Sequence, residues 1–250
     1  MLSGSDDAPP PSGYATTTYQ WGHARDPQRL APVRDSRLPG LPSPGDIVND
    51  QFEILGKLGS GAMGVVLKAR DLNLDREVAI KLVNPRMNDR EDILPLFVTE
   101  ARVMAGVRHP NVVEIYQFGT YAGLHYFVME FVPGQDLNDW SDSKGEFLAI
   151  DEVLGLMEQV CRGVQAIHDA GATHRDLKPS NILVGPSFQS KVCDFGLATR
   201  GPVESEFISG TPEFMAPEVI LDEEQPELAG RIDVYALGVI WWEMLTGRPM

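Results

Sequence analysis

The sequence predicts an α+β chain of two unequal lobes: a small five-stranded antiparallel sheet with one inserted helix, then a larger, mostly helical lobe. Three observations predict it. Short β-branched runs crowd residues 52–132, a single helical period interrupts them after the third run, and beyond Gly134 the apolar spacing becomes three and four.

The first 48 residues hold eight of the 19 prolines and no sustained apolar period. Such a segment cannot bury enough apolar surface to offset its ordering entropy. Residues 1–48 are therefore expected to lack fixed structure, and 49–250 to form the folded unit, with the small lobe at 49–132 and the larger at 133–250. FEILGKLGSG and GVVLKARD flank a glycine-rich turn, and REVAIKLV follows as the third strand. Between Glu91 and Val107 the pattern is helical, with Phe97, Ala101, Met104 and Val107 on one face. VVEIYQFG and LHYFVMEFV are two further strands, turning between Tyr121 and Gly123. In the larger lobe Asp151 is placed to cap a helix bearing Val153, Met157, Val160, Val164 and Ile167, and Gly171 to stop it. RIDVYALGVIWWEML is apolar on nearly all sides, the pattern of a helix buried within its lobe. The cleft between two such lobes is the expected ligand site.

Composition narrows the function classes. At 43% hydrophobic and 23% charged the chain reads as ordinary and globular. A net charge of -15 excludes binding nucleic acid through a broad basic surface and disfavours anionic membranes. Cys161 and Cys193 are too few and too far apart for a disulfide framework, so two reduced thiols in a cytoplasmic protein are expected. The N-terminus lacks the basic start and apolar run of a signal peptide. The most apolar stretch, Val234 to Trp242, is about half the length that spans a bilayer, so no membrane span is expected.

Chemistry concentrates in four places. Gly59, Ser60, Gly61, Gly64 and Val66 fit G-x-G-x-x-G-x-V, where missing side chains let backbone N–H groups approach phosphate oxygens. A strand follows rather than a helix, which favours a loop folded over ATP phosphates; alone, the segment also fits a glycine-rich hairpin without ligand. Lys81 ends Val78-Ala79-Ile80-Lys81 in the next strand, and Glu100 lies on the inserted helix, so a Lys–Glu pair is expected to hold the ammonium on the α- and β-phosphates. In His174-Arg-Asp-Leu-Lys-Pro-Ser-Asn181, Asp176 can accept the proton of a substrate hydroxyl. Lys178 can neutralise the transferring phosphoryl group, and Asn181 can reach a metal. Asp194-Phe-Gly196 supplies a natural Mg2+ ligand in Asp194, and Ala216-Pro-Glu218 closes the segment.

Seven such landmarks, in order, make residues from about 50 to 250 resemble the eukaryotic-type (Hanks-type) protein kinase catalytic domain. HRDLKPSN with Lys178 looks like the serine/threonine branch, with a bacterial style. The resemblance implies a two-lobed kinase-like fold, ATP and Mg2+ as cofactors, and protein substrates phosphorylated on Ser or Thr. It also implies Met129 as gatekeeper, Glu130 and Val132 as the adenine-binding hinge, Leu58, Val66, Ala79 and Leu183 around the adenine, and Asp136 at the ribose. Met104, Ile115, His174 and Phe195 would stack as a spine anchored by Asp233, and Thr211 would bond near the catalytic aspartate.

Two departures from the family pattern stand out. The usual phosphorylated position of the activation segment is Phe207 here, leaving Thr199, Ser205 and Ser209, or the carboxylates Glu204 and Glu206, to face Arg175; autophosphorylation at Ser205 or Ser209 is the expectation. Family members also continue for roughly 50–70 residues past the last helix, a length in keeping with ordinary domain sizes. On that basis the larger lobe is expected to be incomplete and Glu218 to lack its arginine, a loss of about 3–5 kcal/mol for a buried pair. A catalytically silent nucleotide-binding or scaffold module is the competing expectation.

Overall fold

The computed structural model of the chain describes residues 40–61, 64–84, 93–145, 148–194, 212–221 and 229–250. Six strands, β1 (Ile47–Val48), β2 (Phe52–Ser60), β3 (Gly64–Asp71), β4 (Arg76–Val83), β5 (Ile115–Tyr121) and β6 (Leu124–Glu130), form one antiparallel sheet ordered β1-β2-β3-β4-β6-β5. The five expected strands are all there. The sixth, β1, comes from within the segment expected to lack structure. Two residues carry no readable period, and the pairing depends on a turn with Asn49 and Asp50 at φ 50° and 57°. Asn and Asp tolerate that region far better than bulkier residues. Asn49 Nδ2 then donates to Thr120 O at 3.0 Å and Tyr126 Oη at 2.9 Å, tying the edge to the opposite end of the sheet.

Strand alternation decides which residues face the cleft. One face, including Ile54, Leu67, Ile80, Leu82, Tyr126 and Val128, packs as a cluster of its own. The other, Val66, Ala79, Val83, Phe127 and Met129, joins helix α1 (Ile93–Gly106) and a core that continues into the larger lobe. Phe97, Ala101, Met104 and Val107 are buried as the helical period predicts. At Gly64 the strands approach so closely that an added Cβ would stand 2.0 Å from Leu82 O. The sequence assigns this glycine to phosphate approach; the structure adds a demand from its own backbone.

The larger lobe contains α2 (Leu137–Lys144), α3 (Ile150–Asp169), α4 (Pro217–Ile220) and α5 (Gly230–Thr246), with a small sheet of β7 (Gln135–Asp136), β8 (Ile182–Val184) and β9 (Ser190–Val192). All five apolar residues expected on α3 are buried. Ala149, not Asp151, precedes the helix, and Asp151 sits in the first turn, where a carboxylate favours the positive helix end without capping it. Gly171 adopts φ 76° just past the helix, as expected of a stop. On α5 burial is confined to part of the helix. Ile232, Ala236, Ile240 and Met244 are buried, while Val234, Trp242 and Leu245 are at least half exposed among the described residues. A helix leaning on one neighbour buries one stripe.

Among the described residues the backbone joins the lobes in two places. The chain passes directly through 130–132, and residues 111–113 are stitched to β9 by Val192 N donating to Asn111 O (2.8 Å) and Val113 N to Val192 O (2.9 Å). Asn111 Nδ2 adds bonds to Ser190 O at 2.8 Å and Gln159 Oε1 at 3.2 Å. Gly163 lets α3 reach this stitch, since a Cβ there would lie 2.5 Å from Asn111 O.

Candidate active site

Register delivers the first charged group. Lys81 pairs with Val66 on β3 and Phe127 on β6, so its side chain shares the cleft-facing side of the sheet with Ala79 and Val83. It is fully buried, and its Nζ lies 3.1 Å from Asp194 Oδ1. Glu100 is described only through the α1 backbone, so its expected pairing with Lys81 falls outside the described residues.

A loop delivers the next group. Asp233, on the first turn of α5, accepts from the backbone N–H groups of His174 (Oδ2, 2.8 Å) and Arg175 (Oδ1, 2.8 Å) and pairs with His168 Nε2 at 2.7 Å. Burial by itself would raise the Asp233 carboxyl. The His168 hydrogen bond and the two backbone donors outweigh burial and hold it below the ordinary carboxylate value. His174 is fully buried, which lowers its ring below the usual histidine value, and its Nε2 lies 3.0 Å from Cys193 O. Arg175 and Asp194 adopt φ 66° and 57°, left-handed conformations that cost a non-glycine residue energy and persist only where surrounding bonds enforce them.

Between these anchors Asp176 is part-exposed. Its Oδ2 meets Lys178 Nζ at 2.9 Å, and Asn181 Nδ2 donates to its backbone O at 2.8 Å. Cys193 N donates to Asn181 O at 2.9 Å, setting Asn181 beside Asp194. The far oxygens of this pair, Asn181 Oδ1 and Asp194 Oδ2, are buried and have no hydrogen-bond partner. Two such orphaned oxygens fit a hard divalent cation such as Mg2+, which binds through one or two protein oxygens plus substrate phosphates. Among the described residues no cluster of three or more His, Cys, Asp or Glu forms a complete protein cage. Burial, and then the Asp194 charge, push the Cys193 thiol well above its usual value, so it stays protonated.

Val66, Ala79, Met129, Val132 and Leu183 are buried in one cluster, with Leu58 packed against it. Ser60 and Gly61 extend from β2, where Gly61 N donates to Gly64 O at 2.9 Å. Met104 belongs to the same cluster, and Ile115 packs against it. Asp136 holds a task the sequence reading lacks: it caps α2, accepting from Asp139 N at 3.0 Å. Its burial raises the carboxyl, opposed by this bond and reinforced by the Asp139 charge. Phe214, Met215, Ile232 and Leu177 line a small hollow beside Asp176. Glu218 is part-buried at the start of α4. Phe195, Gly196, Thr199, Glu204, Ser205, Glu206, Phe207, Ser209 and Thr211 lie outside the described residues.

Sequence reasoning missed His168 and Lys191. His168 leaves no trace in the sequence beyond a histidine in the last turn of a helix, and Lys191 resembles any strand lysine.

A family model described as protein kinase domain matches residues 52–250. The serine/threonine-protein kinase PrkC of Bacillus subtilis is 35% identical over 207 residues, covering 82% of this chain and 32% of PrkC. The serine/threonine-protein kinase Pkn1 of Myxococcus xanthus is 36% identical over 229 residues, covering 88% of this chain and 32% of Pkn1. The chain thus spans about a third of the length of these curated relatives. Among solved structures, the Mycobacterium tuberculosis PknI kinase domain superposes with a TM-score of 0.67 at 25% identity, over 84% of this chain and 77% of that one.

Proposed function

The chain belongs to the protein kinase family, and from that premise we propose that residues 49–250 transfer the γ-phosphoryl group of ATP to Ser or Thr hydroxyls of proteins. The observation that carries the reading is two bonded groups, Lys81 with Asp194 and Asp176 with Lys178 and Asn181, linked through Cys193 N donating to Asn181 O, with Asn181 Oδ1 and Asp194 Oδ2 buried and orphaned. Acceptor-rich, buried and cation-flanked, that arrangement suits a metal–polyphosphate and little else.

In the proposed mechanism Asp176 orients the substrate hydroxyl and accepts its proton as the oxygen attacks the γ-phosphorus, while the bond to the bridging oxygen of ADP breaks in line. Lys178, already bonded to Asp176, neutralises charge on the transferring group. Lys81 engages the α- and β-phosphates, exchanging part of its contact with Asp194 for them. Asp194 and Asn181 would hold Mg2+, which supplies charge neutralisation across the phosphate oxygens. Val66, Ala79, Met129, Val132, Leu183 and Leu58 exclude water around the adenine, the hinge at Glu130 and Val132 contacts it through backbone groups, and Asp136 stands for the ribose. The substrate hydroxyl would enter over the hollow at Phe214 and Met215. Autophosphorylation at Ser205 or Ser209 remains part of the proposal, as does action in the cytoplasm, where ATP and reduced thiols coexist. Among the described residues no helix is long and apolar enough to cross a membrane.

No observation favours a catalytically silent module, since every residue with a role in transfer is present. The test is transfer of labelled phosphate from ATP to a generic basic protein. Asp176→Asn is expected to lower the rate by about 10²–10⁴-fold, the usual share of a positioned acid–base group. Transfer that survives the substitution unchanged would remove the role of Asp176.

A further inference from the structure

The hinge contacts adenine through backbone groups in the function proposed above, so its side chains are available for another task, and each lobe has taken hold of one. Glu130 Oε2 lies 2.9 Å from Nζ of Lys191, which projects from β9 in the larger lobe and is only 11% exposed, against 26% for Glu130. The same carboxylate oxygen accepts weakly from Glu114 N at 3.5 Å, and Glu130 N donates to Glu114 O at 2.9 Å. One residue on, the Phe131 ring carries Lys68 Nζ 4.4 Å from its centroid. Lys68 projects from β3 in the small lobe and is itself fixed by Glu77 at 2.6 Å. Successive hinge side chains are therefore gripped by cations from opposite lobes.

The chemistry makes this grip consequential. A connection of a few residues between two packed bodies has free backbone torsions, and backbone hydrogen bonds read a flat base only if donor and acceptor sit within about 0.5 Å of their place. A part-buried ion pair is screened less than a surface one, so it can hold such a segment where an exposed pair contributes little. A cation over an aromatic face adds a second restraint that does not depend on the first.

We propose that Lys191 is a positioning residue for base recognition: acting through Glu130, and with Lys68 acting through Phe131, it sets the hinge peptide so that the site accepts an adenine nucleotide in preference to a guanine one. The inference rests on the nucleotide reading given above. Neither lysine belongs to the transfer machinery, and neither is assigned to touch the nucleotide.

Equilibrium binding of Mg–ATP and Mg–GTP to the full chain, with thermal unfolding recorded alongside, tests it. Lys191→Met is expected to weaken ATP roughly fivefold while leaving GTP unchanged, so the preference narrows by the same factor. Lys191→Arg keeps the cation and should keep the preference, and the exchanged pair Glu130→Lys with Lys191→Glu should restore most of it. Parallel weakening of both nucleotides, or a lower melting point with the ATP-to-GTP ratio intact, would show a brace for the fold and overturn the proposal. If the unaltered chain binds neither nucleotide, the kinase reading fails and takes this one with it. If it binds ATP and the ratio ignores Lys191, only this one fails.

Discussion

Lys81 and Asp176 belong to the candidate site from opposite lobes, yet they are placed by different means. Lys81 sits in the middle of a strand, and its position follows from the ladder: eight successive β3–β4 pairs and five β4–β6 pairs leave it one direction to point. Asp176 sits in a loop with no ladder. Its place is set by a few side-chain bonds: Asp233 holds the two preceding backbone N–H groups, and Asn181 Nδ2 holds the Asp176 carbonyl. The lesson is about redundancy. Placement by a sheet is shared among many equivalent bonds, whereas placement by a loop runs through a few unlike ones.

Breaking the loop anchor should therefore have the largest effect. Asp233→Ala leaves two buried N–H groups and His168 without their acceptor, and the expected loss is about 3–5 kcal/mol in denaturant unfolding. Phosphotransfer should fall further than nucleotide binding. Striking the sheet should cost less. Gly64→Ala drives a Cβ into Leu82 O, and the strands can part slightly along their length, so about 1–3 kcal/mol is expected, with nucleotide affinity reduced more than turnover. The smallest change sharpens the loop side alone. The Asp233 carboxyl is held below its ordinary value, so its contribution is fully present above the unfolded carboxylate pKa of about 3.9 and is lost as pH falls through the lower folded value. His168→Leu removes one donor. It should cost about 1–2 kcal/mol near neutral pH and shift the acid unfolding midpoint upward. An acid limb indifferent to this substitution would assign acid sensitivity to another carboxylate.

The same contrast explains what was legible beforehand. The strands bearing Lys81, Ala79 and Met129 and the buried stripe of α3 are periodic, and period survives in sequence. The catalytic loop announces itself through residue types at fixed spacing, so Asp176, Lys178, Asn181 and Asp194 were identifiable without any period. What stayed hidden were pairings between distant residues: His168 with Asp233, Lys191 with Glu130, Asn111 with Ser190. Nothing in the local sequence of either partner names the other. Asp136 was half legible, since its cap on α2 depends on a turn seen only in three dimensions.

The stitch at residues 111–113 carries one more implication. A stretch of chain lying between α1 and β5 lends its backbone to β9, and a single apolar cluster runs from Val66 and Ala79 through Met104 to Leu156 and Ile240. The two lobes are thus not separable modules that could be excised, exchanged or melted one after the other. Cutting the chain in the hinge would leave the small lobe with a torn edge at Val112 and Val113. A protease that nicks 130–132 should yield fragments that remain associated under native conditions and come apart together.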